Sequence, residues 1–515
     1  MKYFTLDKIV IIVVLIISSI FYHISPSQYI SDDSIFYLVI AKHIVEDGFS
    51  TFNGYIETNG YHPLWMIFNI ISIKLSSFSN IEPLNIIGFI YQIFFTMSIY
   101  FLFKIEDILK TFSAFSASLI LIFLFIANGA LHNLESSLAL FFVIYTLYYI
   151  LIQEIPFKKT FFLIGILLGL TVLSRLDLIF FGLIVVIYIL IKYKTKFISF
   201  PLNLLYFMAG GLLVVVPYFI YNQISFGGLT PISGALKSTF PHIKFTLSNI
   251  FPYGIVSVFF ALIAFIIAVL TKLQNTKVIF YILSLSTMFH VLYLFMFQHS
   301  MTWYYITGFL TISLVVGYII LKLNSKLLLY LFGLFMITII VVTSYIKGIS
   351  DYTLSVHILQ GKQLNYSKES QMKIFSKKIK EKLPLNASIF TWDSPGILAY
   401  YGGFRVFSAD GLITNKIYQK ELVEEGAIKV FKKYDINYIL VPLSKKVVKY
   451  YDGIKFEPLK KDNYLITIYS RLYHKEVAKL KLFKKDILFT VNSPYAGNNN
   501  KSPKVAIFKI PIYKK

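Results

Sequence analysis

The chain has 515 residues, 57% of them hydrophobic and only 15% charged, with a mean hydropathy of +0.68. Soluble domains carry about 25% charged residues; these figures exclude a soluble enzyme, a disordered chain and a collagen-like fibre, and they leave a multi-span membrane protein. The chain has no cysteine, which removes disulfides, thiolate metal sites and cysteine nucleophiles, and its net charge of +23 is concentrated in residues 347–515, where 31 Lys+Arg against 14 Asp+Glu give +17.

In chain order, the apolar run at 8–26 is expected to be a retained first span, because Tyr22-His23-Ile24-Ser25-Pro26 lacks the small-x-small pattern of a cleavage site. A long loop follows, with a helix predicted over Ser34–Glu46. The 63–78 segment begins at Pro63 and carries Lys74, Ser76 and Ser77, so it reads as a helix lying in the membrane interface. Further spans are predicted at 84–103, 112–128, 136–152, 160–174, 177–192, 200–221, 252–271, 278–297, 303–321 and 327–346. With 63–78 left out, the inner loops hold Lys104/Lys110, Lys158/Lys159, Lys192/Lys194/Lys196, Lys272/Lys277 and Lys322/Lys326. This is the positive-inside pattern. The fold class is therefore mostly α and polytopic, with about 11 spans in residues 1–346 and a C-terminal extracytoplasmic α/β domain in 347–515. There the apolar runs shorten to strand length at 387–391, 406–408, 438–441, 464–469, 487–491 and 505–512, with helical patterns at 368–382 and 419–433. The +17 of this segment suits anionic lipid headgroups or an anionic polymer, and nothing in it resembles a nucleic-acid module.

This topology gathers the unusual polar residues on the outer side. Asp32 and Asp33 follow the first span; a carboxylate there can take a proton from an attacking hydroxyl, hold a cation, or cap the next helix. Glu57, Asn59, Tyr61 and His62 lie in the same loop, where Gly60 permits a turn, Pro63 starts a helix and Trp65 anchors it. His62 would stand near that helix N-terminus, a place that favours an anion such as phosphate, or it would serve only as a cap. Glu135, with His132 and Asn133, falls in the second outer loop. Arg175 is the sole arginine of the first 346 residues, in a chain with only three. It suits a bidentate task on phosphate, or a pair with Asp177 or another acid. Lys237 lies in the 222–244 loop, and His299, Trp303 and Tyr304 in the next; the aromatic rings could stack on sugar or anchor the interface. The histidines lack the i, i+4 pairing of a zinc site, and phosphate-loop and dinucleotide fingerprints are absent.

Several motifs in order resemble the GT-C fold glycosyltransferases that use polyprenyl-phosphate sugars, a group that includes protein O-mannosyltransferases, the aminoarabinose transferase of lipid A and terminal arabinofuranosyltransferase-like proteins. They are Asp32-Asp33 with the following helix, Asn59-Gly-Tyr-His62-Pro-Leu-Trp65, Asn133-Leu-Glu135-Ser, Leu173-Ser-Arg175-Leu-Asp177, Phe226-Gly-Gly with Pro231-Ile-Ser-Gly, and Trp392-Asp-Ser-Pro-Gly with Asp410-Gly-Leu. The family's first-loop Lys is His62 here, and its Pro after the arginine is Leu176. The resemblance implies a lipid-phosphate-linked sugar donor, an envelope glycan, lipid or protein acceptor, and inverting transfer outside the cell membrane. Asp32 would be the base, with Asp33 or Glu135 orienting the acceptor or a divalent cation. His62, Arg175 and Lys237 would bind the donor phosphate; Glu57, Asn59, Tyr61, Asp177, His299, Trp303 and Tyr304 would line the substrate site. No other cofactor is implied. The alternatives are a transporter or flippase, and an envelope-glycan polymerase or ligase.

The topology is testable because the chain has no cysteine. A membrane-impermeant thiol reagent applied from outside should label a single Cys placed at Ser31 or Ser367 and should leave one at Thr195 unlabelled. Labelling at Thr195 alone would invert the arrangement.

Overall fold

The computed structural model describes residues 32–109, 114–127, 133–153, 158–193, 200–298, 300–322, 368–392, 395–443, 447–450, 453–459, 463–492 and 504–510. The spans expected at 8–26 and 327–346, the 346/347 boundary and His299 lie outside them. Every other predicted span falls on a helix, from Pro83–Leu109 through Ala114–Ala127, Ser136–Ile152, Lys158–Ser174, Ile179–Tyr193, Phe200–Phe226, Tyr253–Leu270 and Gln274–Phe297 to Ile306–Lys322. Among the described residues four of these are long and apolar enough to cross a membrane: Pro83–Leu109, Leu202–Phe226, Tyr253–Leu270 and Gln274–Phe297.

Two helices of the bundle pack unusually closely. Lys158–Ser174 and Phe200–Phe226 meet where Gly165 lies against the carbonyl of Phe207 and Gly210 against the carbonyl of Phe162. Between lipid-facing helices the drive to associate comes from close van der Waals contact, which small residues permit.

The loop after the first expected span holds two helices of different kinds. Asp32–Glu46 carries both acids in its first turn, and residues 34–41 are buried without a break. A helix apolar on all sides is a buried post rather than a surface element. Pro63–Ser79 starts with proline at its first position and ends on Asn80 in the left-handed region at φ +58°, whose N–H bonds the Ser76 carbonyl at 3.2 Å. Trp65, Met66, Asn69 and Ser72 form its buried stripe, while Ile67, Ile71, Leu75 and Phe78 are exposed. That outward apolar stripe is what contact with lipid would favour.

The C-terminal segment is α/β, with two sheets. One has strand order β2-β1-β3-β9-β8, in which Ser388–Thr391 (β1) pairs in parallel with Arg405–Ser408 (β2) and with Tyr438–Pro442 (β3). Lys504–Lys509 (β9) runs antiparallel to β3 and to Ile487–Asn492 (β8). The other is an antiparallel meander of Val448–Tyr450 (β4), Ile454–Leu459 (β5), Asn463–Ser470 (β6) and Lys475–Leu482 (β7). The single helix predicted over 419–433 is two, Lys416–Glu424 and Ala427–Lys433, because Gly426 at φ +80° breaks the ladder.

One apolar cluster joins this segment to the membrane part. Ile35, Leu38, Trp65 and Leu138 share it with Phe375, Ile389, Ile397, Val406 and Val505. Polar stitches run alongside. Thr58 Oγ1 donates to the Thr414 carbonyl at 2.8 Å, Asn415 Nδ2 to the Glu57 carbonyl at 2.7 Å, and Arg405 Nη1 to Tyr55 Oη at 2.5 Å.

Gly165→Val should separate the close helix pair and lower the melting temperature of the detergent-solubilised protein by several degrees. Gly182→Ala is the control, since an added Cβ there meets only Val172, at an ordinary 3.8 Å. Equal melting temperatures for the two variants would show that close approach at Gly165 contributes nothing.

Candidate active site

The site is built around one buried arginine. Arg175 directly precedes the short turn Leu176–Leu178 and is 2% exposed. Its Nε and Nη2 donate to the two oxygens of Asp177 at 3.1 and 2.8 Å, and its Nη1 donates to Glu135 Oε1 at 2.6 Å. The guanidinium carbon lies 4.8 Å from the ring centre of Tyr304. Glu135 precedes the Ser136–Ile152 helix, whose Ala139 N–H bonds its carbonyl at 2.9 Å. Its other carboxylate oxygen accepts from Tyr37 Oη at 3.2 Å, and Tyr37 Oη in turn accepts the backbone N–H of His62 at 3.0 Å. His62 Nε2 stands 3.6 Å from Glu135 Oε1, and His290 Nε2 stands 3.5 Å from Asp177 Oδ2. His62, Glu135, Arg175, Asp177 and His290 thus form one chain of polar groups inside apolar packing.

A cavity of about 50 Å³ lies against this frame. Asp33, Phe36, Tyr37 and Ile40 line it from the buried post, Gly60, Tyr61 and His62 from the same loop, and Leu134 and Glu135 from the second loop. Ser233, Lys237, Trp303 and Tyr304 close the far side, and Leu412 comes from the C-terminal segment. Burial pulls the Lys237 ammonium toward neutrality, but Tyr304 and Asp33 outweigh it and hold its pKa above the usual lysine value. For His62 burial prevails over the attraction of Glu135, and its pKa falls below the usual histidine value. At neutral pH the cavity therefore presents a charged lysine and a neutral imidazole. His62 Nδ1 is buried and has no hydrogen-bond partner.

The expected residues divide into three groups. Asp33, Tyr61, His62, Glu135, Lys237, Trp303 and Tyr304 do come together at the cavity. Arg175 and Asp177 stand behind it; the fork expected on a donor phosphate grips Asp177 and Glu135 instead, the intramolecular pairing that the sequence left open. Asp32, Glu57 and Asn59 are elsewhere. Asp32 Oδ1 accepts the Ile397 N–H at 3.0 Å and Oδ2 the Gly396 N–H at 3.3 Å, so the carboxylate expected to lead the chemistry is turned toward the C-terminal domain. Glu57 is exposed and pairs by its backbone with Thr51. Asn59 pins the later loop, accepting from Ile232 N at 3.0 Å and donating to Asn222 Oδ1 at 3.2 Å. Sequence reasoning passed over Tyr37 and His290. Tyr37 is four residues after Asp33 on a helix, hence on the same face, and a lone histidine within an apolar span is itself a signal.

Breaking a buried ion pair by removing one partner costs about 3–5 kcal/mol. Arg175→Lys keeps the charge but cannot reach Glu135 and both oxygens of Asp177 together. It should lower the melting temperature clearly, and a variant with wild-type melting and wild-type function would show that the fork is dispensable.

No family model matches the chain, and no curated protein matches it. Solved structures do. The aminoarabinose transferase ArnT from Cupriavidus metallidurans, bound to undecaprenyl phosphate, aligns with a TM-score of 0.59 over 85% of this chain and 93% of its own, at 11% identity. The same protein in the apo state gives 0.54 over 84% and 92%, also at 11% identity. The Archaeoglobus fulgidus oligosaccharyltransferase tethered with an acceptor peptide aligns at 0.49 over 86% and 69%, at 14% identity. With ArnT superposing over most of both chains, the fold of this protein is the GT-C fold.

Proposed function

We propose that this protein is an integral-membrane glycosyltransferase moving a hexosyl or pentosyl unit, with inversion, from a polyprenyl-phosphate donor to an envelope glycan, lipid or protein. The reaction takes place at the outer face of the cytoplasmic membrane, in a protein of about eleven spans. The observation that carries the reading is the placement of Asp33 and Lys237 in one cavity beside His62. The ArnT structure bound to undecaprenyl phosphate supports a lipid phosphate as the ligand of that cavity.

In this reading the acceptor hydroxyl gives its proton to Asp33 while its oxygen attacks the anomeric carbon. The bond from that carbon to the phosphate oxygen breaks, and the electron pair leaves with the phosphate. A leaving phosphate needs charge stabilisation rather than a proton, which the Lys237 ammonium and the N–H of a neutral His62 can supply. Arg175 acts one layer back, holding Glu135 against His62. Trp303 and Tyr304 offer ring faces to the sugar, and Glu135 is placed to orient the acceptor or a divalent cation. Asp33 takes the role of base because it faces the cavity and Asp32 does not. A transporter would need ionisable groups along a path within the spans. Of the two such groups buried in spanning helices among the described residues, His290 stands 3.5 Å from Asp177 and Glu106 sits near the far end of its helix from Pro83.

A positioned base contributes about 10²–10⁴-fold. Asp33→Asn should therefore remove the sugar from the envelope of a deletion strain expressing it, with undecaprenyl phosphate binding and melting temperature kept. Lys237→Met should instead weaken undecaprenyl phosphate binding about tenfold or more, because it removes a hydrogen bond to a charged group. If Asp33→Asn restores the sugar fully, the base is elsewhere and the reading loses its main residue.

A further inference from the structure

We infer that Asp32 is a positioning residue through which the C-terminal domain sets the orientation of the neighbouring Asp33; the inference rests on the glycosyltransfer reading above. The carboxylate of Asp32 accepts two backbone N–H groups in the first turn of the Pro395–Gly402 helix, Gly396 at 3.3 Å and Ile397 at 3.0 Å. The contact is close on both sides. A Cβ on Gly396 would come within 2.8 Å of the Asp32 carbonyl oxygen and 3.0 Å of both its Oδ1 and the Phe36 ring, so only glycine fits without movement. Ser376 Oγ donates to the Ile397 carbonyl at 3.1 Å, and Ile397 and Leu398 are buried with Ile35 and Leu38 in one cluster. The receiving turn is therefore fixed within its own domain before it grips Asp32.

Successive residues on a helix point about 100° apart. With Asp32 held by the C-terminal domain, Asp33 is turned onto the cavity, near Lys237. The latch thus fixes the rotation of the Asp32–Glu46 helix about its axis. A carboxylate roughly 5 Å from a helix axis moves by about 1 Å for each 10° of rotation. Misplacement of a reacting group by about 1 Å can cost on the order of 10²-fold. A latch of this kind leaves the lipid-phosphate contacts of Lys237 untouched and acts on transfer alone.

The test uses the full-length protein with Asp32→Asn, Asp32→Ala and Gly396→Val, and with Asp33→Asn as the reference. Three quantities are measured: the envelope sugar restored to a deletion strain at matched expression, the affinity of the purified protein for undecaprenyl phosphate, and hydrogen exchange at the Ile397 amide. Asn keeps one acceptor oxygen, enough for the shorter bond from Ile397 but not for the second from Gly396, so Asp32→Asn should lose less than Asp32→Ala and restore the sugar to within about threefold of wild type. Asp32→Ala and Gly396→Val should restore about tenfold less or worse, with undecaprenyl phosphate affinity unchanged and Ile397 exchanging faster in Asp32→Ala. Full restoration by Asp32→Ala despite an unprotected Ile397 amide overturns the inference, because the latch would then be irrelevant to transfer. Asp32→Asn as inactive as Asp33→Asn also overturns it, since Asp32 would then handle the proton itself. Full activity of Asp33→Asn instead brings down the functional reading, and the catalytic half of the inference with it, and is told apart from the first two because no Asp32 variant enters it.

Discussion

A guanidinium cannot stay charged in a helix bundle unless its charge is matched and its donors are taken up. Arg175 meets that condition by drawing a carboxylate from each of two directions, Asp177 from its own turn and Glu135 from the loop before the Ser136–Ile152 helix, two helices earlier in the chain. The rest of the candidate site follows from where those carboxylates then stand. Glu135 is left with one oxygen for Tyr37 and an edge toward His62, which ties the loop before the Ser136–Ile152 helix to the buried post and to the start of the Pro63–Ser79 helix. Asp177 reaches His290 on another span. Remove the arginine and three loops lose the charge that holds them in register.

The second constraint is the way the C-terminal α/β segment is fastened. It shares an apolar cluster with the post and is stitched to the first loop at Tyr55, Glu57, Thr58 and Asp32. The other two arginines of the chain both serve this join. Arg405 reaches Tyr55, and Arg471 donates to the Asp410 carbonyl at 3.1 Å, steadying the turn that carries Leu412 into the cavity wall. In a chain that otherwise uses lysine, each arginine holds a geometry instead of merely supplying charge.

Much of this was legible in the sequence, and the division between what was and was not has a physical basis. The spans could be read because twenty apolar residues in a row have few other fates, and Pro63 marks its helix start by removing an N–H that would be orphaned there in any case. Asp33, His62, Glu135, Lys237 and Trp303 could be picked out as polar or aromatic residues gathered on one side, a property of topology alone. That Asp32 is bonded to Gly396 and Ile397 while Asp33 lines the cavity could not, since those partners lie far along the chain. The partners of Arg175 were half visible: Asp177 is two residues away, whereas Glu135 is brought by packing. In the C-terminal segment the split at Gly426 was hidden by a continuous helical pattern. Strand Lys475–Leu482 was hidden too, because five of its residues are exposed or half-exposed lysine, glutamate, valine and alanine before burial begins at Leu480.

The hydrogen bonds from Gly396 and Ile397 to Asp32 span 364 and 365 residues of sequence. During synthesis the Asp32–Glu46 helix leaves the ribosome long before the turn that will grip it has been made. Contacts of such separation form late, after the local ones. The helices can insert and pair one after another as they emerge, but Asp32 meets the Gly396 and Ile397 amides only once the C-terminal segment has been made and has folded against it. A chain stopped before residue 396 would therefore carry the membrane helices but lack these two bonds on Asp32.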